Sequence, residues 1–257
     1  MIDQRLREFA QNPDRFTSLS ADVERFADER VCVVQGTVWS GVSGIRVEPD
    51  EVEALVAEVR RRVPPEKLTT WWLDPDTRPA DLHERLLSLG FEEPQDRGAL
   101  LHALVCVEEP PAGPADVQVR RVETFDDHRA AVEVMWETFE TPADRREQQR
   151  PHLRAEFEAA RAAGVPATFL ARVGDRPAGV GRSIYSDRGV FLIAGGVLPW
   201  ARGRGIYKAL VRARWDDAVA RGTPALVTEA IVDTSYPILT RVGFVEVCAI
   251  RRLQDPR

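Results

Sequence analysis

The chain of 257 residues is 44% apolar and 30% charged, with 17 glycines, 18 prolines and a formal charge of −6. That composition lies within globular norms and excludes collagen-like, fibrous and disordered classes, while the length corresponds to one or two domains of roughly 150 residues. No run approaches the roughly 18 uncharged apolar residues of a membrane span. The opening segment MIDQRLREFAQNPDRF has acidic side chains where a secretory leader carries its apolar core, so a cytoplasmic location without membrane association is expected.

Cys32, Cys106 and Cys248 lie far apart in apolar runs, with no CxxC pair, and read as reduced, buried, small apolar side chains. His83, His102, His128 and His152 are scattered, so no metal is expected. Residues 1–110 carry 13 basic and 22 acidic side chains, against 22 and 19 in residues 111–257. No basic stripe with interleaved aromatics is present, which disfavours nucleic acid as a partner. Arg182, Arg188, Arg202, Arg204, Arg212 and Arg214, with Lys208, form a local cluster. It suits a compact polyanion, or else is a solvated helix face.

In chain order, the pattern predicts helices over 3–11 and 20–29, strands over 31–39 and 43–48, and a helix over 50–62 with Val52, Leu55, Val56 and Val59 on one stripe. A strand over 68–73, a helix over 79–89 and a strand over 99–107 follow. The run EEPPAGPAD then breaks the chain, placing a linker at 111–116 between a domain of residues 1–110 and one of 117–257. Beyond it come a strand over 117–123 and a helix over 126–140, the latter with a core stripe of Val132, Met135, Trp136 and Phe139. A second helix over 143–163 precedes strands over 167–173, 177–185 and 189–198, joined by GDR and SDRG hairpin turns. The remaining elements are a long helix over 203–221, a strand over 224–231, a helix over 235–241 and a strand over 244–252. The alternation implies an α/β (α+β) fold with mixed sheets.

The most informative segment is GVFLIAGGVLPWARGRGIYKALVRARW. An apolar strand ends at Pro199, and Arg202-Gly203-Arg204-Gly205 open a helix whose buried stripe includes Ile206, Ala209, Leu210 and Ala213. Amides of a first helical turn have no intrahelical carbonyl partners, and the helix dipole adds positive potential, so a diphosphate can be held there by main chain. Glycines at 203 and 205 remove β-carbons that would keep it away. Gly195-Gly196, inside a strand, signals a bulge that would free main-chain groups for an extended, amide-containing ligand.

These residues resemble motif A of the GNAT superfamily of acyl-CoA-dependent N-acyltransferases. That motif has a strand ending in Val-x-Pro followed by a loop of Gln or Arg, two residues, Gly, one residue, and Gly or Ala. Val197-Leu198-Pro199, Arg202 and Gly205 match, whereas Tyr207 stands at the final position. The segment DTSYPILTRVGFVEV resembles the family's motif B, with Gly243-Phe244 matching and Leu239 where the family often has a tyrosine acid. The resemblance implies binding of acetyl-CoA by Gly196, Val197, Leu198, Arg202, Gly203, Arg204, Gly205, Ile206 and Tyr207, without a metal. It also implies direct transfer to a primary amine in a ternary complex, with a main-chain N–H of 195–198 holding the thioester carbonyl.

Glu229 is the first choice for the base, the alternative being an ion pair with a nearby arginine; Tyr236 and Ser235, with Tyr207, are candidates to protonate the thiolate. The first half reads as a worn repeat: LTTWWLDPDTRPADLHERLLSLGFEE parallels ALVTEAIVDTSYPILTRVGFVEV, pairing Leu86 with Leu239, Gly90 with Gly243 and Phe91 with Phe244. Pro49 parallels Pro199, but Glu48, Asp50 and Glu51 replace the glycines and would repel phosphate while capping a helix. Two GNAT-like lobes follow, each a mixed, mostly antiparallel twisted sheet flanked by helices, the first unable to bind coenzyme A through this loop. A small-molecule amine is the expected partner, and a homodimer is compatible with the sequence. A non-catalytic acyl-CoA sensor and a protein or peptide acetyltransferase are the competing readings.

Overall fold

The computed structural model describes residues 2–20, 22–95 and 98–257. Its elements are α1 (Gln4–Gln11), α2 (Pro13–Phe16), β1 (Glu24–Ala27), β2 (Cys32–Gln35), β3 (Trp39–Ser43), α3 (Val52–Arg62), β4 (Leu68–Leu73), α4 (Leu82–Ser88), β5 (Leu100–Cys106), β6 (Val117–Arg121), α5 (Phe125–Thr138), α6 (Ala143–Gln149), α7 (Leu153–Ala163), β7 (Ala167–Val173), β8 (Arg176–Ser186), β9 (Gly189–Val197), α8 (Ile206–Ala220), β10 (Leu226–Ala230), α9 (Tyr236–Arg241) and β11 (Val245–Asp255). The chain forms two compact units. One comprises Met1–Val105, Glu229–Arg241 and Val245–Arg257; the other comprises Cys106–Thr228 and Val242–Phe244. The units therefore do not divide at the 111–116 linker alone, because the last strand groups with the first unit.

In the first unit the strand order is β1-β2-β3-β4-β11-β5, antiparallel except for the parallel pair β3 and β4. Its core is built from α3 and the strands: Val52, Leu55, Val56 and Val59 are buried against Val33, Val42, Trp71 and Leu253. The α3 stripe is thus as the spacing predicts. Its start is not capped in the expected way, however, since no side chain bonds its first amides and the Glu51 carboxylate instead accepts the Glu48 N–H at 2.9 Å. Gly90 at φ +89 ends α4, with Leu86 and Phe91 buried.

The expected helix over 20–29, whose residue 21 lies outside the described residues, is instead a turn leading into β1. Glu24 to Ala27 pair with Gln35 to Cys32, and the Asp28 carboxylate closes the hairpin by accepting the amides of Arg30 at 2.8 Å and Val31 at 3.0 Å. Here the sheet overrides local helical pattern. The strand expected over 43–48 is irregular past Ser43, where Gly44 takes φ +61.

In the second unit the order is β10-β9-β8-β7-β6, with β9 and β10 parallel and the rest antiparallel. One cluster joins α8 to the sheet through Phe169, Ala171, Ala178, Ile206 and Leu210, and another joins α5 to it through Ala131, Val134, Leu170 and Val180. Thr124 caps α5 by accepting the Asp127 N–H at 3.2 Å. The stripe expected on α5 holds for Val132 and Trp136, each 4% exposed, but Phe139 falls at the helix end and is 52% exposed. The single helix expected over 143–163 is two, because Pro151 sits in a 3-10 turn between α6 and α7. Among the described residues, no helix is long and apolar enough to cross a membrane.

Candidate functional site

The strand β9 departs from regular pairing where two consecutive glycines interrupt its apolar run. Val180 pairs with Gly196 and Arg182 with Ile193, so β9 carries one residue more than β8 across this step. Ala194, at φ +48, supplies the left-handed residue of this bulge. The glycines beside it make room for side chains: a β-carbon on Gly195 would lie 3.1 Å from the Tyr207 hydroxyl, and one on Gly196 would collide with Thr138 Cγ2. Just before the bulge, the parallel pairing of β9 with β10 covers only three residues and stops at Leu192 opposite Thr228. The Thr228 hydroxyl closes it by donating to the Leu192 carbonyl at 3.0 Å. From Ile193 onward the β10 side of β9 has no strand partner in this register, which leaves main-chain donors and acceptors for a ligand.

After β9, Pro199 begins a 3-10 turn, and Arg202 to Gly205 lead into α8. Gly203 and Gly205 take φ of +75 and +72. Gly205 is the N-cap residue, no side chain caps the helix, and its first turn has no acidic residue. The α8 ladder opens with the Ala209 N–H donating to the Gly205 carbonyl at 3.0 Å, so the amides of Ile206, Tyr207 and Lys208 precede it. They form the uncapped, positively polarised end at which anions bind. The glycines differ in purpose: around Gly203 the space is open, whereas a β-carbon on Gly205 would lie 2.8 Å from Pro114 Cγ.

No protein-family model matches the chain, and no curated protein matches it in sequence. Solved structures do match. A GCN5-related N-acetyltransferase from Kribbella flavida is 16% identical, with a TM-score of 0.69 over 100% of this chain and 97% of that one. A tandem GNAT protein from the clavulanic acid biosynthesis pathway is 13% identical, with a TM-score of 0.61 over 97% and 87%. A GCN5-related N-acetyltransferase from Sphaerobacter thermophilus is 16% identical, with a TM-score of 0.55 over 88% and 80%. The chain has the GNAT fold.

Within this GNAT fold, Gly196, Val197, Leu198, Arg202, Gly203, Arg204, Gly205, Ile206 and Tyr207 all lie in the second unit, whereas Glu229, Ser235 and Tyr236 group with the first. The arginine cluster disperses. Arg204 pairs with Asp116 at 3.0 Å, Arg212 with Asp216 at 2.8 Å, and Arg202 donates to the Val197 carbonyl at 3.4 Å. Arg214 is only 1% exposed; it donates to the Leu210 carbonyl at 2.9 Å, and its Nη2 has no hydrogen-bond partner among the described residues. It therefore belongs to neither a polyanion site nor a solvated face. Burial raises the pKa of Tyr207, with Arg214 opposing, and lowers that of Arg214, with Tyr207 opposing.

Glu229 is a half-buried carboxylate whose pKa is pushed up to about 8, by burial and then by Asp14, against the pull of Arg252. Burial likewise lifts Asp14 to about 6, with Arg25 opposing. The Tyr236 hydroxyl donates to Glu246 Oε2 at 2.8 Å, which raises its pKa, and Glu246 Oε1 meets His102 Nδ1 at 2.9 Å. Ser235 Oγ accepts the Ile231 N–H at 3.0 Å. Leu239 is 1% exposed, a core residue on α9. The pairing of His102 with Glu246 and the coupling of Asp14 to Glu229 are not legible in the sequence, since each joins segments far apart in the chain. Among the described residues, no cluster of His, Cys, Asp and Glu is arranged to hold a metal.

Proposed function

We propose that this protein is an N-acetyltransferase that moves an acetyl group from acetyl-CoA to a primary amine of a small molecule. The observation that carries the reading is the β9 end: strand pairing that stops at Leu192, a bulge at Ala194, and an uncapped α8 start at Ile206, past the Pro199 turn. The Ile206, Tyr207 and Lys208 amides, with Arg202, are suited to the diphosphate, and the free side of Ile193 to Val197 to the amide-bearing arm. When bound, acetyl-CoA supplies an acyl group activated as a thioester.

The chain's own residues then have three tasks. A main-chain N–H within 195–198 donates to the thioester carbonyl as charge builds there. Glu229 takes a proton from the acceptor ammonium, directly or through water, and a pKa near 8 makes it a competent base at slightly alkaline pH. Tyr236 returns a proton to the departing sulfur; Ser235 is its substitute, and the demand on either is small because a thiolate leaves readily. The first unit carries the acidic α3 start and serves as a second GNAT-like lobe that takes no coenzyme A there. The test is thiol release from acetyl-, propionyl- and succinyl-CoA with a panel of small amines. Turnover with acetyl-CoA and an amine supports the reading; tight binding without turnover across the panel makes the protein a sensor instead.

A further inference from the structure

A cavity of about 470 Å³ in the first unit is lined by Asn12, Arg15, Gly44, Arg46, Asp76 and Arg78. It lies past the carboxyl ends of the parallel strands β3 and β4, the place where ligands gather on parallel sheet segments. Its volume falls in the range of small-ligand sites.

The wall is charged and pre-ordered. Arg15 Nη2 donates to the Asp28 carbonyl at 2.6 Å, Arg78 Nη1 to the Thr77 carbonyl at 2.8 Å and Arg46 Nη1 to the Ile45 carbonyl at 2.8 Å. Main-chain carbonyls fix a guanidinium without cancelling its charge. Among the described residues only Arg46 of the three also meets a carboxylate, that of buried Asp74 at 3.3 Å, which in turn accepts Asn12 Nδ2 at 3.1 Å. Asn12 is 7% exposed, and its Oδ1 has no hydrogen-bond partner among the described residues. Gly44, at φ +61, keeps the place open, since a β-carbon there would come within 3.3 Å of Asn12 Oδ1. The cavity also includes the carboxylates of Glu8, Glu29 and Asp76. Three cations and three anions around one space disfavour a polyanion such as a nucleotide and favour a ligand bearing both signs.

We propose that this cavity binds a zwitterionic α-amino acid, with its carboxylate on the Arg15, Arg46 and Arg78 side and its ammonium on the Glu8, Glu29 and Asp76 side. The site is independent of the acetyl-transfer reading. The test is calorimetric titration of the full chain with the common L-amino acids, using acetate, methylamine and inorganic phosphate as single-charge probes. Saturable binding of one or more amino acids, at least tenfold tighter than any single-charge probe, supports the proposal. So does its loss by at least tenfold in Arg78→Gln, an exposed position, while coenzyme A binding by that variant is unchanged. The amino-acid binding must persist in Gly203→Asp, which separates this site from an acceptor site at the glycine loop. Absence of amino-acid binding below 10 mM, equal binding of phosphate, or full affinity in Arg78→Gln overturns it.

Discussion

Arg60 on α3 and Asp255 at the end of β11 form a two-pronged ion pair, Nε to Oδ2 at 3.0 Å and Nη2 to Oδ1 at 2.9 Å, with the Asp255 side chain fully buried. Arg257 adds a third contact at 2.7 Å. The pair fastens the last strand of the chain into the sheet of the first unit, between β4 and β5. Asp255→Asn is expected to cost about 2 kcal/mol, below the 3–5 kcal/mol of a fully buried pair because Arg60 is partly solvated. Urea unfolding measures it, and a change within 0.5 kcal/mol refutes the role.

The two left-handed glycines before α8 yield a graded prediction. Gly203→Ala meets open space and is expected to cost about 1–2 kcal/mol for the left-handed backbone alone. Gly205→Ala adds the collision with Pro114 and is expected to cost about 1 kcal/mol or more beyond that. The double variant with Pro114→Ala recovers the excess. Thermal denaturation of the four proteins reads the order, and equal costs for both glycines contradict it.

Most individual elements were legible because period and punctuation agree. LTTWWL and ATFLARV form strands with the expected bounds, and Gly-Asp and Pro199 stop elements where their backbone chemistry requires. What was not legible depends on contacts distant in sequence. The destination of β11 is set by two antiparallel neighbours and the Arg60–Asp255 pair, and the burial of Arg214 depends on Gly181, whose missing β-carbon leaves room for the guanidinium. The bulge was readable from Gly195-Gly196, yet its left-handed residue is Ala194, and the glycines face side chains.

In the proposed mechanism Asp14 and Glu229 couple activity to pH. Asp14 ionises near 6 and its charge then helps hold Glu229 near 8, so kcat/KM is expected to rise with pH on a limb of apparent pKa about 8. Asp14→Asn removes the like charge and moves that limb to lower pH, and Glu229→Gln abolishes it. A limb that follows the acceptor amine and ignores both substitutions excludes Glu229 as the base.

The same shifts bear on stability with a definite sign. Both carboxyls hold protons more tightly folded than unfolded, so their contribution is complete below about pH 4 and is lost as pH rises through 6 and then 8. Relative to the parent, Glu229→Gln is therefore expected to gain thermal stability progressively between pH 5 and pH 9. A parallel offset at all pH values contradicts the assignment.

Tyr236→Phe removes the hydroxyl that donates to Glu246. With a thiolate as leaving group, kcat is expected to fall by about tenfold or less, whereas an obligatory acid would cost about 100-fold or more. Single-turnover rates with acetyl-CoA distinguish the two.

The most direct measurement is a calorimetric titration of coenzyme A into the parent chain and into Gly203→Asp. That position is open and left-handed, a conformation aspartate tolerates, so the variant keeps its fold while setting a carboxylate beside the uncapped α8 amides. Saturable binding by the parent, weakened at least 100-fold in Gly203→Asp, is the expected result. Equal affinities, or no binding by either protein, would contradict a diphosphate site at the start of α8.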